Sequence, residues 1–146
     1  MEKYIFACIG TSQLIEDSFG PRVGEILEKE LKQNENIKIL GTMNCPIHFQ
    51  NAPIFLDYLR NLPGKLIVID SALGEEKLIG NTYMNRGGIE IGKAFGRSLY
   101  FPAQWNIKTI VGKRAKQLQE EKATYQINQL AQRLATQIVN VMQELT

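Results

Sequence analysis

"KYIFACIGTSQLIEDSFGPRVGEIL" occupies residues 3–27. After Lys3 come β-branched, aromatic and small apolar side chains, and the run stops at Gly10. That pattern reads as a buried strand over 3–10. A loop of about ten residues follows. Then Val23, Ile26, Leu27 and Leu31 fall at helical spacing, and Pro21 fits the first helical turn, where a missing N–H costs nothing. The turn between strand and helix is neither G-x-x-x-x-G-K-[ST] nor G-x-G-x-x-G. A helix N-terminus attracts anions through its free N–H groups and dipole. Here Glu16 and Asp17 occupy that positive end and would repel a phosphate. Nucleotide binding is therefore disfavoured, and the acids call for another chemistry.

Outward from this stretch, strands and helices alternate. "IKILGTM" (37–43) predicts a second strand, and "PIFLDYLRNL" (53–62) a short amphipathic helix ended by Pro63 and Gly64. "KLIVID" (65–70) predicts a third strand closed by an acid, and its unbroken apolar run suits a parallel strand covered on both faces. Residues 74–106 are rich in glycine and lack helical period. They predict a strand near 78–84 and then an irregular or hairpin segment. "IKTIVG" (107–112) predicts another strand, and the tail from Arg114 a helix. In that helix Ile127, Leu130, Ala131, Leu134, Ile138, Val141, Met142 and Leu145 form one apolar stripe, expected to pack on the chain's own sheet. The alternation predicts an α/β sandwich with right-handed crossovers.

The bulk numbers fit one domain over residues 1–146, with 44% apolar and 22% charged residues. A net charge of +2 and the lack of a basic stripe argue against nucleic acid and against an anionic membrane. The start lacks the marks of a signal peptide, and no apolar run nears the ~20 residues that span a bilayer. Cys8 and Cys45 are expected as reduced thiols in a cytoplasm, Cys8 as a core residue.

The candidate chemistry lies in two acids. Asp17 closes the loop after the first strand, and Asp70 closes the third. In a parallel sheet ordered 2-1-3 these strands are neighbours, about 4.8 Å apart, and their crevice is the topological switch point. Two carboxylates facing across it cannot both ionise cheaply, so they share a proton. One then serves as base toward water and the other as acid toward a carbonyl or leaving group. Alternatively, Glu16, Asp17 and Asp70 together hold a divalent metal. Taken singly, Asp17 reads equally well as a helix cap and Asp70 as a turn former. His48, the single histidine, lies after the second strand and can reach the same edge. With Cys45 it makes only half a zinc site. Arg86, among glycines 87, 88, 92 and 96, could bind a carboxylate or be a solvated surface charge.

Four blocks, "CIGTSQLIEDSFGPRVG", "GTMNCPIHFQN", "LIVIDSALG" and "RGGIEIGKAFGRSL", follow in order those of the YyaC-like sporulation family, over about residues 5–112. That family resembles the spore germination protease and, more distantly, the hydrogenase maturation proteases. The resemblance implies a three-layer α/β/α sandwich with a mostly parallel sheet ordered 2-1-3-5-4. The germination protease resembles an aspartic protease with one acid in a D-A-L-G-P segment and one in an I-D-A segment. "DSFGP" and "IDSALG" give these roles to Asp17 and Asp70, the acids already chosen on physical grounds. Related chains read I-G-T-D-R-S-T-G-D, where this one has Ser12 at the first acid and Glu16 at the glycine. An acid at Glu16 resembles the nickel-binding Glu of the hydrogenase maturation proteases, but their histidine after the fourth strand is missing here.

The expectation is an aspartic-type peptidase acting on a peptide or protein substrate in the cytoplasm, including the forespore, of a spore-forming bacterium. Asp17 and Asp70 form its pair, Glu16, His48 and Arg86 assist, and no cofactor is required. The alternatives are a catalytically inactive relative that binds a peptide or protein partner, and a metal-dependent maturation-type peptidase. Self-association into an oligomer is compatible with each.

Overall fold

The β-branched and apolar runs pair into a five-stranded sheet. The computed structural model describes residues 2–92, 96–113 and 120–145. The strands are β1 (Tyr4–Cys8), β2 (Ile37–Leu40), β3 (Lys65–Gly74), β4 (Thr82–Arg86) and β7 (Trp105–Lys113), and the sheet order is β2-β1-β3-β7-β4. Four of them run parallel, and β4 is antiparallel to β7 at one edge. This is the expected order 2-1-3-5-4. The two extra strands, β5 (Ile89–Ile91) and β6 (Leu99–Phe101), pair with each other in a separate hairpin. Residues 93–95 of the last family block lie outside the described residues.

Alternation divides each central strand between two cores. On one face Phe6, Cys8, Ile67, Ile69, Ile107 and Val111 pack under helices α1 (Phe19–Leu31) and α3 (Glu120–Leu145). On the other, Ile5, Ala7 and Val68 pack under α2 (Ala52–Arg60) and the hairpin, with Ile89, Ile91 and Phe101 buried among them. The α/β/α layering therefore holds, with a hairpin completing one outer layer. Cys8 is a core residue as expected, burial pushes its thiol up, and Cys45 is exposed; both are free thiols.

Several predicted boundaries move. The region expected as a strand over 78–84 begins with a 3-10 turn, Glu76–Leu78, and the strand comes later at Thr82–Arg86. The predicted α3 stripe is rotated: Ala123, Ala135 and Val139 are buried in it, while Val141 and Leu145 are 51% and 56% exposed. Ala131 and Ala135 are buried in the cluster that α3 shares with α1, and the predicted stripe included the first of them but not the second. Residues 114–119 of the predicted tail helix lie outside the described residues.

One boundary matters for chemistry. β3 does not end at Asp70 but continues to Gly74. β1 ends at Cys8, opposite Ile69, so Asp70 is the first β3 residue beyond the paired length of its neighbour. On its other side β3 stays paired with β7 through Lys113, with a bulge between Ala72 and Leu73. The continued pairing with β7 keeps an acid in the strand where the sequence suggested a turn.

Candidate active site

The chain leaves β1 at the carboxyl edge of the sheet and folds back on itself before α1. Ile9 donates its N–H to the Ile69 carbonyl and Gly10 to the Ile47 carbonyl, both at 2.8 Å. The Thr11 N–H then reaches the Asp17 carbonyl at 3.0 Å. Gly10 permits this closure, since a Cβ there would collide with the Asp17 carbonyl oxygen and Pro21. Glu16–Ser18 form a 3-10 turn leading straight into α1, with the Asp17 N–H bonded to Leu14 and that of Ser18 to Ile15. Neither end of this turn nor the start of α1 carries a side-chain cap, so Asp17 is not a helix cap. The Ser71 hydroxyl donates to the Glu16 carbonyl at 3.1 Å and ties the turn to β3.

Asp70 shares its strand face with Val68, and its Oδ1 accepts the Ser71 N–H at 2.8 Å. Burial, partly countered by that hydrogen bond, pushes the Asp70 carboxyl up to about 7; the nearby Asp17 charge raises it further and Lys108 lowers it. The Asp17 carboxyl is also raised, first by burial and then by Glu16, and His48 opposes the shift. The Asp17 charge, 53 positions away in sequence, thus acts on the Asp70 carboxyl, while the neighbouring acid that raises Asp17 is Glu16.

His48 follows Ile47, which bridges to Ile9 beside the turn. Its Nδ1 accepts the Gln50 N–H at 3.2 Å, its own N–H reaches Asn51 Oδ1 at 2.8 Å, and its carbonyl accepts the Asn51 and Ala52 N–H groups. With Nδ1 an acceptor, Nε2 carries the proton of the neutral ring. Asn51 braces this loop further by donating to the Pro46 carbonyl at 2.8 Å.

Glu16 lies near enough to raise the Asp17 carboxyl, and its Cγ lies 3.9 Å from where a Cβ on Gly112 would stand, toward β7. Successive residues of a 3-10 turn project about a third of a turn apart. Among the described residues no three acids, histidines or cysteines are grouped so as to hold a metal ion. Glu16, Asp17 and Asp70 therefore do not fit the expected metal set, and no step is derived through one. Arg86 is not brought to the site either. It pairs with Trp105 at the opposite, amino-terminal end of β7 and stacks 5.3 Å from that indole, exposed. An edge strand running antiparallel carries its last residue away from the carboxyl edge.

Sequence reasoning missed Lys108. It is the register partner of Asp70 on β7 and is half-buried. A signal was present, because Lys108 interrupts an apolar strand, "IKTIVG", which a buried strand would do only for a reason.

Comparison with known proteins agrees with this architecture. The crystal structure of the [NiFe] hydrogenase maturation protease HycI from Thermococcus kodakarensis superposes with a TM-score of 0.61 at 19% identity, covering 97% of this chain and 92% of that one. A second structure, the [NiFe] hydrogenase maturation protease HybD from Thermococcus kodakarensis, gives a TM-score of 0.46 at 12% identity, over 94% and 99% of the two chains. The "Uncharacterized protein YyaC" of Bacillus subtilis (strain 168) is 28% identical over 109 residues, 73% of this chain and 52% of that protein. The chain thus spans about half the length of this curated relative. Described as "Protein of unknown function (DUF1256)", one family model matches residues 1–143, nearly the whole chain, and the chain belongs to that family.

Proposed function

We propose that the protein is an aspartic-type peptidase whose acid–base pair is Asp17 and Asp70. The observation supporting this reading is that burial raises the carboxyls of both acids and that the charge of Asp17, remote in sequence, raises Asp70 further. Asp70, with its carboxyl pushed up to about 7, serves as the proton donor, and Asp17, whose ionised form His48 favours, serves as the base. Asp17 takes a proton from a water lodged between the two acids, and that water attacks the peptide carbonyl carbon. Asp70 gives its proton to the carbonyl oxygen as the tetrahedral intermediate forms. The proton gained by Asp17 then passes to the leaving amine as the C–N bond breaks, and the diol hydroxyl returns its proton to Asp70 as the carbonyl re-forms. A general acid works best with a pKa near the working pH, and about 7 satisfies that.

In the sporulation setting implied by the family resemblance, the substrate is a peptide or protein of the cytoplasm or forespore. The test is incubation with small acid-soluble spore proteins, comparing the wild type with Asp17→Asn and Asp70→Asn. Cleavage by the wild type that falls at least a hundredfold in both variants supports the pair, since general acid–base groups contribute about 10²–10⁴-fold. Cleavage that persists in both removes it. Binding without cleavage by the wild type favours a non-catalytic, peptide-binding relative.

A further inference from the structure

The helix α2 and the β5–β6 hairpin cover only part of their sheet face. The hairpin is fixed low on it, where Asn106 donates to the Gly87 carbonyl at 3.0 Å. Above that point the face of β3, β7 and β4 is open. A cleft of about 650 Å³ lies there, with Ala72, Leu73, Leu78 and Ile110 supplying apolar walls, Tyr83 at the β4 side and Lys108 near the acids. The volume is in the range of preformed binding clefts, roughly 300–1,000 Å³. Neither aspartate lines it. It starts one strand across from Asp70, at Lys108, and two residues further along β3, at Ala72.

We propose that this cleft seats an extended segment of the substrate, with the Lys108 ammonium pairing the carboxylate of an acidic side chain close to the bond presented to the aspartates. The inference rests on the peptidase reading and gives that site a specificity. Its basis is charge. Lys113, also on the cleft, is held by Glu76 at 3.5 Å, and Glu75 is held by Lys77 at 3.4 Å. Among the described residues Lys108 has no carboxylate within 4.0 Å. Asp70, its register partner, lies on the neighbouring strand but makes no ion pair with it within 4.0 Å. A half-buried cation beside apolar walls gains from a counter-anion that brings its own hydrogen-bond acceptors. The apolar walls take the flanking side chain; Leu73 and Tyr83 are 40% and 44% exposed and would be covered. Since the cleft continues past Lys108 to Tyr83 and Leu78, the bound chain passes through, and an internal side chain fits better than a chain terminus.

Binding of acetylated, amidated hexapeptides from a positional-scanning library to the wild type, Lys108→Gln and Lys108→Arg tests this without requiring turnover. The expected result is enrichment of Asp or Glu over Asn or Gln at one position by about tenfold, a difference of ~1.4 kcal/mol. That preference should vanish in Lys108→Gln and persist, weakened, in Lys108→Arg, which also shows that the cleft survives substitution. No acidic preference, a preference unchanged in Lys108→Gln, or binding that demands a free terminal carboxylate overturns the proposal. Acidic preference without cleavage of any bound peptide would keep the groove and remove the peptidase reading. Cleavage without acidic preference would do the reverse.

Discussion

Asp70 couples the proposed chemistry to stability. Its carboxyl is raised from the ordinary 3.8 to about 7, chiefly by burial. Between those values the folded state binds more protons than the unfolded one, so stability falls as pH rises. The contribution is fully present below about pH 4 and is lost through pH 7. At pH 8 the ionised side chain costs up to about 4 kcal/mol, from ~1.4 kcal/mol per pH unit. Asp70→Asn keeps an acceptor for the Ser71 N–H and removes the charge. Urea denaturation should therefore find this variant more stable than the wild type at pH 8, by about 2–4 kcal/mol, and nearly equal to it at pH 4. Equal stabilities at both pH values would mean that Asp70 is well solvated. On the proposed reading, that variant should gain stability at pH 8 while losing hydrolysis, because burial of the charge is costly for folding.

At the scale of elements, the site depends on how closely α1 lies against the sheet. Gly24 faces β2, and a Cβ there would land on the Gly41 carbonyl oxygen and press on Cys8. Backbone cannot yield as a flexible side chain can, so Gly24→Ala should destabilise by about 1–3 kcal/mol or more. It should also displace the Glu16–Ser18 turn, which is continuous with the start of α1. Thermal unfolding and hydrolysis measured on the same variant check both effects. A normal melting temperature with normal activity would show that the helix slides without cost. The strand β3 offers the complementary case. Its apolar run was legible, but its length was not, because Asp70 and Gly74 resemble strand enders and only pairing with β7 holds them in place.

For the whole molecule, the sheet is covered on both faces around β1, and Phe6 there is 1% exposed under α1 and α3. Phe6→Ala leaves a cavity where two helices meet β1, and should cost about 3–5 kcal/mol in global denaturation. A loss below 1 kcal/mol would show that the helical layer collapses into the space. The strand order also separates residues that look alike in sequence. Arg86 and Lys108 are both cations in the glycine-rich second half, yet antiparallel β4 carries Arg86 to the amino-terminal end and parallel β7 sets Lys108 opposite Asp70.

Alternating apolar runs, glycine stops and helical spacing were enough to determine the α/β class and the buried strands, because each depends on contacts a few residues away or on composition. Sheet order came from resemblance to known blocks and agrees with the fold. Tertiary structure alone decided that Glu16 turns toward Gly112, that Arg86 stacks on Trp105, and that Lys108 stands beside Asp70. The physical reason is that a side chain's direction follows from the register and end of its strand or turn, which pairing between distant segments fixes and which local pattern leaves free.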